Sequence, residues 1–527
     1  MNAMTVNRIF TNIAVLAGAA LALAGCGGAA TVTGKVCCGG EGLKGVVVSD
    51  GVEVVKTDSR GRYRLNSKKE NGYVFVSVPS GYEVGADGLI PKFFARLNGG
   101  GKETADFELN KADQSDVTLF VTTDIHLTGD PVDKDLPEFH KSFLPDIIKT
   151  IGETPGKVYS LCLGDMTTDG KWYKNGFSFP EYLREMDGYP TPIFHIMGNH
   201  DNDQRGEGTF AEWESLAEER FRKEIGPNYY SLNIGNFHIL MLDDIITTGP
   251  KKEGNPADTY VGKFGFTYAI DSTQMEWIRK DLAAVPEDRN LIVAMHVPYY
   301  TISGFEDGRM RYEYTASSSV APDELMAMIS KYRHVDMIAG HHHRTQVIPL
   351  AGNIISHDIA SASAVSWKIN DIGAPMVCDD GTPAGYQIFR LQGDSLSWRF
   401  KSNYKPVAQS QCNVYDLNTI PSEYGGEPGS NAVLVNVFNW DPQWTVSVRE
   451  NGVELPVEQV YGYDPMYVRI RRETKSLVKR PTAFLETRTP HLFRCVRSSA
   501  GSQVEVTVTD RFGNVYKAAL GDEAVIW

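Results

Sequence analysis

The sequence predicts an α/β core flanked by two small all-β domains. Three observations carry this. Short apolar strands alternate with helix-like stretches between about residues 115 and 400. Strand-and-turn signals fill residues 31 to about 110, and the β signal returns from about residue 405 onward. A chain of 527 residues is too long for one ordinary domain. The division read here is 1–25 as a leader, 26–112 as an N-terminal β module, 113–402 as the α/β domain and 403–527 as a C-terminal β domain.

Within the leader, Arg8 supplies a short positive region and Ile9 to Ala24 form an apolar run. Small residues then lead into Leu23-Ala24-Gly25-Cys26. This resembles a bacterial lipoprotein lipobox, which implies that Cys26 is acylated and becomes the first residue of the mature chain. The expected location is outside the cytoplasm, anchored to a membrane of the bacterial envelope, in the periplasm or at the outer membrane. Later apolar runs are strand-length, so no second membrane span is expected. The formal charge of −14 and sequence pI near 5.4 argue against a long nucleic acid as partner, because binding its backbone needs many cationic contacts. Cys37, Cys38, Cys162, Cys378, Cys412 and Cys495 show no metal-type C-x-x-C spacing. Export admits disulfides, but the spacing assigns none, and Cys162 reads as a core thiol.

In the N-terminal module, Gly45-Val46-Val47-Val48-Ser49-Asp50-Gly51 is a strand entering a turn. Thr57-Asp58-Ser59-Arg60-Gly61-Arg62-Tyr63-Arg64-Leu65 repeats that signal. The pattern resembles the transthyretin-like sandwiches of secreted enzymes, and with no cluster of His or paired acids it reads as a spacer or scaffold. In the α/β domain the expected strands are Val117–Val121, Val158–Leu163, Ile193–Met197, Phe237–Leu242, Leu291–Met295 and Val335–Ala339. The expected helices are Glu138–Ile151, Ala211–Lys223, Ser272–Leu282 and Pro322–Tyr332. Beyond residue 403, Asn431–Val437, Trp444–Arg449 and Gln503–Asp510 read as strands. Asp510-Arg511-Phe512-Gly513-Asn514 reads as the turn between the last two strands.

Five polar clusters hold the chemistry, and each closely follows an apolar strand. Asp124-Ile125-His126 follows Leu119-Phe120-Val121, and Gly164-Asp165 follows Leu161-Cys162-Leu163. Gly198-Asn199-His200-Asp201 follows Phe194-His195-Ile196-Met197. His296 follows Ile292-Val293-Ala294-Met295, and Gly340-His341-His342-His343 follows Met337-Ile338-Ala339. Ligands gather at the carboxyl ends of strands in α/β sheets, so the five clusters should converge. Two Asp, one Asn and several His, with no Cys, suit borderline divalent metals such as Mn, Fe, Zn or Ni. In Asp-x-His and His-x-His, alternate residues of an extended segment point the same way, so each pair can face one pocket. Asp165 is suited to bridge two ions roughly 3.5–4 Å apart, the separation used by two-metal hydrolases.

In this order, D-x-H, G-D, G-N-H-D, a lone H and G-H-x-H are similar to the motifs of the calcineurin-like metallophosphoesterases. The segments Asp380-Gly381-Thr382-Pro383-Ala384-Gly385-Tyr386 and Thr509-Asp510-Arg511-Phe512-Gly513 are similar to a three-domain bacterial subfamily with its own N- and C-terminal domains. The resemblance implies a four-layer αββα core and metal-dependent hydrolysis of phosphate esters. It implies one metal held by Asp124, His126, Asp165 and His343, and a second held by Asp165, Asn199, His296 and His341. His200 matches the general acid that protonates the leaving oxygen, with Asp201 as the group that orients it. Asp169 falls near where relatives place a supporting acid. The rival reading is a catalytically silent surface binding or adhesion protein, which the integrity of every motif disfavours. The expected partner is a phosphorylated small molecule, lipid or glycan. The lack of a Lys/Arg cluster in the candidate pocket loops favours diesters over monoesters.

Other polar residues read as structural. His195 lies inside a strand, His342 should turn away from the pocket, and His140, His238, His334, His357 and His491 carry no motif. Asp243 and Asp244 end a strand on the same side but match no ligand motif, and read as surface residues. Ile245 to Phe264 and Thr301 to Tyr314 are expected to shape the pocket. In the second of these, Arg309 and Arg311 read as solvated charges before phosphate contacts. Ala360-Ser361-Ala362-Ser363-Ala364-Val365-Ser366-Trp367 replaces a glycine- and tryptophan-rich stretch of the subfamily, a departure on the substrate side.

Overall fold

The computed structural model describes residues 30–203, 213–250, 264–315, 322–350, 352–367, 369, 375–477 and 484–521. The leader, Cys26 and residues 251–263 of the expected pocket loop lie outside them. The first central sheet has the strand order Ile193–His195, Lys157–Cys162, Asp116–Thr122, Gly385–Gln392, Ser395–Ser402. Its first three strands are parallel and its last two antiparallel. Alternation decides what each face does. Val117, Leu119 and Val121 enter a core shared with the second sheet, whereas Phe120 joins Cys162, Tyr386 and Ile388 on the outer face. Phe139, Phe143, Ile147 and Ile151 cover that outer face. They come from Asp135–Glu138, a π turn at Phe139–Phe143 and the helix Leu144–Glu153.

The second sheet runs Tyr230–Ile234, Phe237–Met241, Asn290–Ala294, His334–Ala339, Ile354–Asp358, Gln346–Pro349. Its four central strands are parallel and each edge strand is antiparallel. The helices Ser272–Leu282 and Pro322–Ile329 pack on it through Trp277, Ile278, Leu325 and Ile329. Asp271 caps the first of these helices by accepting the Thr273 and Gln274 N–H groups. The layers are helix, sheet, sheet, helix: the four-layer αββα arrangement.

N-terminal residues form two further sheets, one centred on Val32–Cys38 and one on Tyr73–Ser77. One buried core runs through this module and the second central sheet. The Tyr73 hydroxyl donates to Asn228 Oδ1 at 2.9 Å, Phe75 meets Trp277 edge-on at 6.0 Å, and the Asn233 N–H donates to the Val78 carbonyl at 2.8 Å.

The C-terminal region packs two four-stranded sheets around Val433, Val435, Val448, Val506 and Val508. The expected final turn is present, with Asp510 Oδ1 accepting the Phe512 and Asn514 N–H groups. The all-β expectation fails at one place, because Pro465–Leu477 is an α-helix. Tyr467, Val468 and Ile470 are weak helix formers. Burial of Tyr467 and Ile470 in the core that holds Phe120 outweighs that weakness. The start signal was nonetheless present: Asp464 accepts the Tyr467 N–H at 2.9 Å, directly before Pro465. Among the described residues no helix is long and apolar enough to cross a membrane. The six described cysteines are free thiols, and Cys162 is buried.

Candidate metal centre

All five clusters lie beyond the carboxyl ends of parallel strands. The first sheet contributes Asp124, His126, Asp165, Asn199 and His200, and the second contributes His296, His341 and His343. The alternation expected of an extended segment does not deliver them. Asp124, His126, Asp165, His341 and His343 instead sit in left-handed turns, with φ of 53°, 52°, 51°, 68° and 54°. Such backbone costs about 1–3 kcal/mol per residue and persists only where the surroundings impose it. The imposing bonds include Asp124 N–H to the Gly164 carbonyl at 3.1 Å and His126 N–H to the Asp165 carbonyl at 2.9 Å. Two motif glycines allow the loops to approach. A Cβ on Gly198 would lie 2.2 Å from Asp165 Oδ1, and one on Gly340 would lie 2.5 Å from Asp124 Oδ2.

The side chains gather into two groups, Asp124–His126–His343 and Asp165–His296–His341, each with its donor atoms within 4.8 Å of one another. In the first, His343 Nε2 lies 3.1 Å from His126 Nε2 and 3.2 Å from Asp124 Oδ1. In the second, His296 Nε2 lies 3.1 Å from Asn199 Oδ1, 3.4 Å from Asp165 Oδ2 and 3.3 Å from His341 Nδ1. Asp165 Oδ2 also stands 3.5 Å from His126 Nε2, while Oδ1 accepts the His200 N–H at 2.7 Å. One carboxylate oxygen therefore faces both groups.

Hydrogen bonds behind these side chains set the tautomers. His343 Nδ1 donates to the Ala364 carbonyl and His296 Nδ1 to the Leu163 carbonyl. Each Nε2 is thereby aimed into its group. Asp124 is wholly buried, and its Oδ1 has no hydrogen-bond donor. Burial opposes ionisation of Asp124 and Asp165, but the surrounding imidazoles outweigh it and hold both carboxyls below their ordinary range. Imidazole nitrogens that face one another beside an undonated carboxylate oxygen fit a cation. The residues present match a metal site.

His200 stands at the pocket rim with its side chain 39% exposed, and its Nδ1 lies 2.8 Å from Asp169 Oδ1. Loss of hydration in the pocket lowers this imidazole, but Asp165 and Asp169 outweigh that and raise it to about 9. Cations bound nearby would draw it back down. The orienting role expected of Asp201 falls to Asp169. Backbone amides draw the Asp201 carboxylate beneath the loop, where it accepts the Gly198 N–H at 3.1 Å and the Met166 and Thr167 N–H groups at 3.3 Å. Asp243 and Asp244, expected at the surface, are buried. Asp244 accepts the His296 and Val297 N–H groups at 3.1 and 2.8 Å and so holds that ligand loop, while Asp243 accepts from Asn228 at 2.9 Å. Their cue was position alone, two acids closing a buried strand.

The cavity beside these groups has a volume of ≈ 240 Å³ and is also lined by Thr128, Lys171, Ser363, Val365, Trp367 and Phe484. Ala360–Trp367 wraps the Asp124 loop: the Ser361 hydroxyl donates to the Asp124 carbonyl at 2.9 Å, and Trp367 Nε1 to the Ile125 carbonyl at 2.8 Å. Lys171 was not anticipated; its Nζ meets Asp130 Oδ2 at 2.5 Å and Asp133 Oδ2 at 3.4 Å. Arg309 and Arg311 lie exposed on the hairpin Tyr300–Glu306/Arg309–Tyr314, away from the described cavity lining. The other expected pocket segment forms a hairpin of Ile245–Pro250 with Phe264–Tyr268, and Tyr268 meets the His341 ring at 5.1 Å. His342 turns toward Asp358 at 2.8 Å, and His195 is buried against the Tyr182 hydroxyl at 3.2 Å. His238, His357 and His491 are buried against Asp281, Asp336 and Asp380, whereas His140 pairs with Glu185 and His334 is exposed.

Family comparison agrees with this geometry. A model described as calcineurin-like phosphoesterase matches residues 117–345, with its N-terminal counterpart at 30–112 and its C-terminal counterpart at 357–516. No curated protein sequence matches the chain. Similar solved structures include a dimetal phosphatase from Danio rerio, 13% identical, covering 56% of this chain and 98% of that one, with a TM-score of 0.35. A purple acid phosphatase from yellow lupin (Lupinus luteus) seeds is 13% identical, with coverage of 70% and 68% and a TM-score of 0.36. A 5'-nucleotidase from Candida albicans is 11% identical, with coverage of 55% and 51% and a TM-score of 0.29. At such scores these likenesses carry no argument about chemistry. The three family matches span nearly all the described residues and their core holds both metal-binding groups, so the chain belongs to the calcineurin-like phosphoesterases, metal-dependent hydrolases of phosphoric esters, with the N- and C-terminal accessory domains.

Proposed function

We propose that this chain hydrolyses phosphodiesters outside the cytoplasm through a dinuclear divalent-metal centre. The observation that carries the proposal is Asp165 Oδ2, 3.5 Å from His126 Nε2 and 3.4 Å from His296 Nε2. A shared carboxylate is suited to a pair of ions about 3.5–4 Å apart. Asp124, His126, Asp165 and His343 would hold one ion, and Asp165, Asn199, His296 and His341 the other, with Mn, Fe, Zn or Ni as suitable metals. Bound there, such ions polarise the phosphoryl group and provide a nucleophilic water near neutral pH. The protein's own groups act around them. Asp169 holds His200 through Nδ1, which leaves Nε2 to pass a proton to the departing oxygen. Trp367 and Ser361 hold the Asp124 loop in register.

Support for diesters comes from Lys171, whose charge is answered by both Asp130 and Asp133. The described cavity lining then holds no uncompensated Lys or Arg to meet a monoester's second charge. Chelator-treated protein should lose hydrolysis and regain part of it with Mn, Fe, Zn or Ni. Undiminished turnover in protein shown to be metal-free would overturn the metal centre. A preference above tenfold for the monoester, measured as kcat/KM on matched esters, would overturn the diester assignment alone.

Support for the location is the leader ending in Leu23-Ala24-Gly25-Cys26. An acylated Cys26 would hold the enzyme at an envelope membrane, near phosphorylated small molecules, lipids or glycans. Lipid anchoring there needs more than one acyl chain. Cys26→Ser should release the protein into the soluble envelope fraction or leave an unprocessed precursor. Normal processing with unchanged membrane partitioning would refute lipidation.

A further inference from the structure

Phe484 follows the helix of the C-terminal domain, yet it stands in the catalytic pocket. Its ring centroid lies 4.4 Å from that of His343, with the planes inclined by 32°. Together with Val365 and Trp367 it gives an otherwise polar cavity an apolar wall. Bonds at Phe484 and just after it hold the backbone that carries this ring. The Tyr467 hydroxyl, on the helix Pro465–Leu477, donates to the Phe484 carbonyl at 3.1 Å. Three residues later, Thr487 Oγ1 donates to Asp379 Oδ2 at 2.9 Å. That same oxygen accepts the Arg344 guanidinium at 2.7 Å, and Arg344 directly follows His343. The C-terminal domain and the ligand loop thus meet at Asp379, through Thr487 three residues past Phe484 on one side and through Arg344 beside His343 on the other.

An apolar wall offers nothing to phosphate oxygens, which need cations and donors. It favours only the burial of carbon. The cavity of ≈ 240 Å³ lies just below the usual range of ligand pockets, so it suits a small substituent beside the phosphoryl group. We infer that Phe484 is a specificity-determining residue: with Val365 and Trp367 it receives a ring-sized apolar substituent, so the preferred substrate is a phosphodiester bearing an aromatic group. This rests on the function proposed above.

The test uses the full chain reconstituted with metal, and binding rather than turnover. Methyl phenylphosphonate and methyl methylphosphonate are monoanions that mimic a diester and differ by one ring. The unaltered protein should bind the phenyl compound about tenfold more tightly by calorimetry, the size of one aromatic contact with its buried area. Phe484→Ala should remove most of that gap while leaving metal content and methyl methylphosphonate affinity within about twofold, and Phe484→Leu should keep part of it. Failure of the unaltered protein to bind either phosphonate would overturn the phosphodiester reading on which this rests. Equal binding of both, or a gap that survives Phe484→Ala, would overturn the role of Phe484 and leave the enzyme assignment standing. Metal loss in both variants would make the ring a support for His343 and would also overturn it.

Discussion

Replacing Asp165 by Asn is expected to strip metal from both donor groups at once. Its Oδ2 stands within 3.5 Å of His126 Nε2 and 3.4 Å of His296 Nε2, one in each group. Asparagine keeps the size of the side chain and can still accept the His200 N–H that Oδ1 now takes. The loops should therefore stay folded while the shared negative charge is lost. Changes behind the ligands alone cost about 10–100-fold in metal affinity, so removing the shared ligand sets a floor of roughly 100-fold for each ion. Elemental analysis should find both equivalents gone, with hydrolysis lost in parallel. A variant that keeps two metals and its rate would place the bridge elsewhere.

His200→Ala should give the second large effect, and a different one. His200 is not a member of either donor group, so metal content should hold. Turnover should fall by about 10²–10⁴, the contribution of a general acid. The loss should be greatest for alkyl leaving groups and smallest for nitrophenyl esters, whose oxygen departs without a proton. Asp169→Asn should copy this leaving-group dependence more weakly, because Asp169 holds the ring at Nδ1 without touching the departing oxygen. Equal losses across leaving groups in His200→Ala would show that the ring positions phosphate instead.

The sequence by itself determined the candidate ligand types, their order and their place at strand ends. Metal chemistry accepts few side chains, and a strand that is buried on both faces, such as Leu119-Phe120-Val121, leaves its polar residues at its end. The need for glycine at 198 and 340 is tertiary, since a Cβ there would meet the carboxylate of Asp165 or Asp124 from another loop. What the tertiary structure decided was which groups meet. Asp201 is adjacent to His200 in sequence, yet Asp169, 31 residues away, makes the contact. The local amides claim Asp201, and a neighbouring loop delivers Asp169. Lys171 enters the pocket already paired with two acids some 40 residues earlier in the chain. Phe484 reaches His343 only because a separate domain packs against the first sheet. Local sequence sets a residue's chemistry and its immediate backbone. Contacts between distant segments depend on how whole sheets and helices settle against one another, and no spacing motif encodes that.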